Sequence, residues 1–160
     1  MSAIYAMPGH LIRRLQQISA SVFAERMKAA GVDLTSPQFA ALSVLGEHDG
    51  IDQATLAGMI AHDRPTIGGV VDRLAAKGLV ERRTNPKDRR ARRLSLTPAG
   101  QGLLARLAPV VAEIQTAILP GLSEQERQEF VRLAAKVAEA GNDLSRAPLA
   151  LPGRKARAEI

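Results

Sequence analysis

The chain has no cysteine and no tryptophan among its 160 residues. Without cysteine there is no disulfide, no thiolate nucleophile, no thiol redox switch and no cysteine-ligated zinc. Aromatic residues are scarce: Tyr5, Phe23, Phe39 and Phe130 are the full set. Single-stranded nucleic acid is held by bases stacked on aromatic platforms, so the chain is poorly equipped for that mode. No apolar run is long enough to span a bilayer, and Met1 to Leu15 carries charges where a signal peptide needs an apolar core. These absences predict a soluble, cytoplasmic protein with no membrane partner. Enzyme signatures are missing too. There is no glycine-rich phosphate loop, serine elbow or paired metal motif, and Asp and Glu fall mostly at helix caps and exposed faces. His10, His48 and His62 are too dispersed in sequence to converge on a metal. No catalytic residue, metal or cofactor is expected.

What the chain does have is a concentrated positive charge. Arg82 to Arg93 holds seven Arg or Lys residues against one Asp, an excess that equals the net charge of +6 of the whole chain. Such a field attracts a polyanion, and arginine forks suit phosphate oxygens and narrow grooves. The flanks, Gly78-Leu79-Val80-Glu81 and Leu94-Ser95-Leu96-Thr97, mix apolar and polar residues as strands do. Asn85-Pro86 and Lys87-Asp88 are turn chemistry, so the run reads as a β-hairpin with a basic tip, not as a basic tail.

Elsewhere helical signals dominate. Pro8-Gly9 precedes a helix with Leu11, Leu15, Ile18 and Val22 in one apolar stripe, ending near Gly31. A second helix starts at Thr35-Ser36-Pro37-Gln38, where Thr35 can cap, Gln38 reach back and proline occupy the first turn. A short helix follows Asp52, and after Ala61-His62-Asp63 another runs from Arg64 to Lys77 with Ile67, Val70, Val71 and Leu74 inward. Two such helices joined tightly make a helix-turn-helix, and the hairpin makes it winged. Thr97-Pro98 opens a long helix that Pro109 should kink and Pro120 stops. Ser123 and Glu126 form a capping box for a last helix carrying Phe130, Leu133 and Val137. From Ser145 the proline-containing segment reads as a mobile tail.

The fold class is therefore mainly α with a small β-hairpin wing: a winged helix-turn-helix with N- and C-terminal dimerisation helices. We divide it into residues 1–33 (N-terminal dimerisation helix), 34–100 (winged helix-turn-helix), 101–144 (C-terminal dimerisation helices) and 145–160 (tail). The outer helices carry more apolar surface than one small winged core can bury, and a second copy of the chain is the simplest destination for it.

Leu34-Thr35-Ser36-Pro37-Gln38-Phe39, Val71-Asp72-Arg73-Leu74, Lys77-Gly78-Leu79-Val80, Asp88-Arg89-Arg90-Ala91-Arg92 and Leu96-Thr97-Pro98-Ala99-Gly100 together resemble the MarR family of transcriptional regulators. The resemblance implies a homodimer with interlocked terminal helices. It also implies a double-stranded palindromic operator as partner, usually repression, and release by a small, often aromatic, ligand. The helix from Arg64 would enter the major groove, with Arg64 and Thr66 toward base edges, Arg73 toward a phosphate or guanine, and Pro65, Gly68 and Gly69 also facing the DNA. Lys87, Arg89, Arg90 and Arg92 would lie along the backbone and minor groove. Asp72 and Asp88 would orient the wing, Asp88 by holding a nearby arginine. Gly68 and Gly69 depart from the family, which often has a polar and a basic side chain there. Tight packing or tolerance is one account of the pair; close approach of the helix backbone to DNA is the other.

The opening Met7-Pro8-Gly9-His10-Leu11-Ile12-Arg13-Arg14-Leu15 is similar to regulators of nicotinate and other aromatic-acid catabolism. His10, Arg13, Arg14 and Gln17 share one side of the first helix. With Tyr5, Met7 and Gln38 they are candidate effector ligands for an aromatic or heteroaromatic carboxylate. A solvated face or a dimer salt bridge is the alternative. At the level of function, the rival is a sequence-nonspecific nucleic-acid-binding or DNA-compacting protein, since the hairpin alone would bind any polyanion.

Overall fold

The computed structural model describes residues 3–85 and 88–153, and the side chains of residues 85 and 88–91 fall outside that description. Helix α1 (Pro8–Ala29) starts with proline in its first turn, and the chain turns back at Gly31, whose φ of 69° is a backbone that glycine adopts without strain. Helix α2 (Ser36–Glu47) carries the expected capping box: the Gln38 side chain accepts from the Thr35 N–H at 3.1 Å. Asp52 caps α3 (Gln53–Met59) by accepting from the Thr55 N–H at 2.8 Å. Helix α4 (Arg64–Ala76) follows, and Gly78, at φ 69°, delivers the chain into β1 (Val80–Asn85).

β1 pairs antiparallel with β2 (Asp88–Leu96), in register from Val80 opposite Leu96 to Thr84 opposite Arg92. The register shifts at Asn85, which pairs with Asp88; Pro86 and Lys87 lie outside the described residues. A third segment joins the hairpin through one bridge: the Leu94 N–H donates to the Ile51 carbonyl at 2.8 Å. Helix α5 (Pro98–Ala117) begins at Thr97, whose hydroxyl accepts from the Gly100 N–H at 3.1 Å and donates to the Gly78 carbonyl at 2.6 Å. A Cβ at Gly100 would fall 2.1 Å from the Leu79 carbonyl oxygen, so only glycine lets α5 start this close to β1. α5 continues as one helix across Pro109, which costs it a hydrogen bond without ending it. Ser123 and Glu126 form the capping box of α6 (Glu124–Ala140).

The core collects the inner faces of α2 to α5 and the stem of the hairpin, with Leu42, Leu56, Val71, Leu74 and Leu94 at its centre. α1 joins through its second half, where Met27 is buried and Phe23 meets Phe39 at 6.0 Å between ring centres. Its first half does not: Leu11, Ile12, Leu15 and Ile18 are exposed, as are Val131, Leu133 and Val137 of α6. The arrangement is the mainly helical winged helix-turn-helix expected from sequence. One difference concerns the tail. The segment read as mobile from Ser145 is tied back as far as Ala150, whose N–H donates to the Gly58 carbonyl at 2.9 Å. Residues 154–160 lie outside the described part.

Candidate nucleic-acid interface

α3 and α4 meet through a turn in which the His62 N–H donates to the Ala57 carbonyl at 2.9 Å and the Ala61 N–H to the Gly58 carbonyl at 3.2 Å. This paired arrangement closes a helix and favours glycine at the left-handed position; here Ala61 holds it, at φ 50°. The turn aims α4 outward. Ile67, Val70, Val71 and Leu74 face the core, leaving Arg64, Pro65, Thr66, Asp72 and Arg73 exposed and Gly68 and Gly69 half-covered. The Thr66 hydroxyl donates to the Asp63 carboxylate at 2.8 Å. That bond is the main reason the Asp63 carboxyl sits below its ordinary range. With its hydrogen given to Asp63, the exposed Thr66 hydroxyl keeps its lone pairs as acceptors.

The glycine pair is not dictated by packing inside the chain. A Cβ at Gly69 would meet nothing within 4 Å, and one at Gly68 would meet only the Gln53 amide nitrogen, at an ordinary 3.6 Å. Tight packing, one of the accounts open at the level of sequence, is thereby removed.

The wing is fastened to this helix by Asp72, whose carboxylate accepts from the Arg82 guanidinium in β1. Arg83 pairs with Glu81 on the same strand, and Arg93 donates to the Gly50 carbonyl at 2.7 Å. Two arginines of the basic run, Arg82 and Arg93, thus tie the hairpin to neighbouring segments, while Arg83 is paired within β1. Sequence reasoning singled out Asp72 but not Arg82 as its partner; ten residues separate them and no local spacing links the two. Arg92 is exposed on β2. Lys87 lies outside the described residues, and Asp88, Arg89 and Arg90 are placed by their backbones alone, on β2 beside the turn. The other end of α4 is held by Lys77, whose ammonium donates to the Asp33 carboxylate at 2.9 Å.

The expected effector residues fall into two groups. Tyr5, Met7, His10, Arg13, Arg14 and Gln17 lie together at the start of α1, with the Tyr5 and His10 rings edge to face at 5.7 Å and Arg13 donating to Gln17 at 3.2 Å. Apart from a half-covered His10 all are exposed in the single chain. Gln38 stands apart: it is buried at the start of α2 with its amide oxygen engaged by Thr35. A groove of about 650 Å³ lies further along α1, lined by Phe23, Met27, Lys28, Asp33 and Thr35 among others. It includes none of the expected effector residues.

The MarR family pattern matches residues 34–91, which run from the loop before α2 into the wing. The HTH-type transcriptional repressor NicR of Pseudomonas putida is 35% identical over 129 residues, covering 81% of this chain and 80% of NicR. Among solved structures, Bordetella bronchiseptica BpsR, whose DNA binding is regulated by 6-hydroxynicotinic acid, superposes with a TM-score of 0.77 at 30% identity, covering 83% of this chain and 94% of BpsR. The PcaV regulator of Streptomyces coelicolor, solved with its natural ligand, gives a TM-score of 0.77 at 35% identity over 88% of this chain and 99% of PcaV. The exposed helix α4, the wing fastened beside it and these likenesses agree: the chain belongs to the MarR family of winged helix-turn-helix transcriptional regulators.

Proposed function

We propose that this regulator is a cytoplasmic repressor that binds a palindromic operator as a homodimer and leaves it on binding an aromatic or heteroaromatic carboxylate. The observation that supports DNA reading most directly is the pairing of α4 with the wing through Asp72 and Arg82. It ties α4 to the basic hairpin, whose stem residues Val80, Leu94 and Leu96 are buried in the core, an arrangement that suits a major groove and the neighbouring backbone. Arg64 and Arg73 bracket the exposed face of α4 and carry direct contacts. Gly68 and Gly69 leave its middle bare, so the helix backbone approaches the base edges closely and DNA shape carries more of the selection. Lys87, Arg89, Arg90 and Arg92 act on phosphates and the minor groove, with Asp88 as an orienting partner within the wing.

Dimerisation is supported by the apolar residues that the single chain leaves uncovered on α1 and α6. A second copy would cover them and set two α4 helices one turn of DNA apart. The effector reading rests on the His10, Arg13 and Arg14 cluster beside the Tyr5 ring, since two guanidiniums and an imidazole can hold a carboxylate while the ring covers an aromatic face. BpsR responds to a hydroxylated heteroaromatic acid, which fits that chemistry.

The test screens aromatic and heteroaromatic acids, 6-hydroxynicotinate among them, by thermal shift and then by release from operator DNA. An acid present at one hundred times its Kd stabilises the fold by about 2.7 kcal/mol. His10→Ala or Arg14→Ala should leave operator binding intact and abolish release. Loss of the dimer in either variant would assign the cluster to subunit contact instead.

A further inference from the structure

The segment after α6 is built onto the helix-turn-helix by specific contacts. The Asn142 side chain clamps the Leu149 backbone from both sides: its amide oxygen accepts from the Leu149 N–H at 2.8 Å and its amide nitrogen donates to the Leu149 carbonyl at 3.2 Å. Between them the chain folds into a loop in which the Ser145 hydroxyl accepts from the Ala147 N–H at 3.1 Å. The clamp presents Ala150 to α3, where its N–H donates to the Gly58 carbonyl at 2.9 Å. Gly58 is fitted to this contact. A Cβ there would stand 3.1 Å from the Ala150 Cβ, closer than nine in ten real contacts.

The place of attachment matters. The Gly58 carbonyl also accepts from the Ala61 N–H, in the turn that sets α4 against α3 and holds Ala61 in a left-handed backbone. α6 is thus joined to the DNA-reading unit by two routes: covalently through α5 and the wing, and by hydrogen bonds through the Asn142–Ala150 strap. The second route closes the chain between Gly58 and Ala150 into a loop that includes α4.

We infer that Asn142, Gly58 and Ala150 are positioning residues for operator binding: the strap holds the α3–α4 turn in register with α6, and so fixes where the recognition helix stands relative to the C-terminal helices. This rests on the regulator reading above. Half-site spacing on DNA is a geometric requirement, whereas nonspecific attraction to phosphates is not. Loosening the strap should therefore weaken operator binding selectively.

The test uses the full chain with Asn142→Ala, Gly58→Ala, and Gly58→Ala combined with Ala150→Gly. Amide exchange at Ala61 and His62, measured without DNA, should quicken by about tenfold in Asn142→Ala, since local opening governs it. Operator affinity should fall by about tenfold in the same variant while random-duplex affinity holds. Gly58→Ala favours helix in α3, so its loss of operator affinity cannot come from melting that helix. Trimming Ala150 to glycine in that background should restore binding. Unchanged exchange at the turn, an equal loss on random DNA, or no rescue by Ala150→Gly overturns the inference. A wild-type protein without operator preference would instead sink the regulator reading, and the exchange data would still decide the strap.

Discussion

At the residue scale, Gly69 gives the sharpest contrast. In mid-helix, glycine is less favourable than alanine by about 1 kcal/mol. Open space around the missing Cβ means that Gly69→Ala should recover about that much stability in chemical denaturation. If the bare strip lets the helix backbone approach DNA, the same variant should bind operator less tightly than wild type. Higher stability with unchanged binding would leave the glycine as mere tolerance. Arg64→Ala separates base from phosphate contact by a different readout: specific binding should drop by about 1–3 kcal/mol with nonspecific binding little changed. A uniform loss would remove Arg64 from base reading. The Asp72–Arg82 pair is partly solvated, so it adds at most about 1 kcal/mol to stability.

At the scale of elements, the caps of the helix-turn-helix make stability depend on acid. The Thr55 backbone N–H, against a smaller burial effect and with help from the Thr55 hydroxyl, holds the Asp52 carboxyl below its ordinary range. The Thr66 hydroxyl does the same for Asp63. A depressed folded-state pKa stabilises once pH exceeds the unfolded value of about 4, and that contribution is lost as pH falls through the lower folded value. Asp52→Ala should therefore cost about 1 kcal/mol at neutral pH. Melting curves of variant and wild type should converge at strongly acidic pH, and a constant gap would contradict the charged cap.

These elements were legible because caps are local. Thr35 with Gln38, Asp52, Thr97 and Ser123 with Glu126 each signal a helix start within four residues of chain. The 3.6-residue stripe likewise gave the core face of α4. What stayed hidden was tertiary. Asp72 meets Arg82, Arg93 meets Gly50, Lys77 meets Asp33 and Ala150 meets Gly58, each pair well separated along the chain. Such pairs leave no period in the sequence. For that reason the basic run read as one undivided field, although Arg82, Arg83 and Arg93 are each engaged within the chain. For the same reason a proline-containing tail read as loose although Asn142 folds it back.

At the scale of the molecule, the proposed dimer places the uncovered apolar face of α6 against a second copy. Phe130, Leu133 and Val137 recur at helical spacing, yet Val137 remains 66% exposed in the single chain. Leu133→Glu with Val137→Glu should give a monomer in sedimentation and reduce operator affinity by at least about 100-fold, because two linked half-sites gain from effective concentration. A dimer that survives both charges would move the interface elsewhere.

Fixed geometry, and not charge alone, directs this protein to DNA. Its most direct test is one titration at physiological salt, comparing the DNA beside its own gene with a random duplex of equal length. The preference for its own site should be about a thousandfold or more, with both affinities falling as salt rises. Equal binding to the two duplexes would contradict it and leave the basic wing as a general polyanion binder.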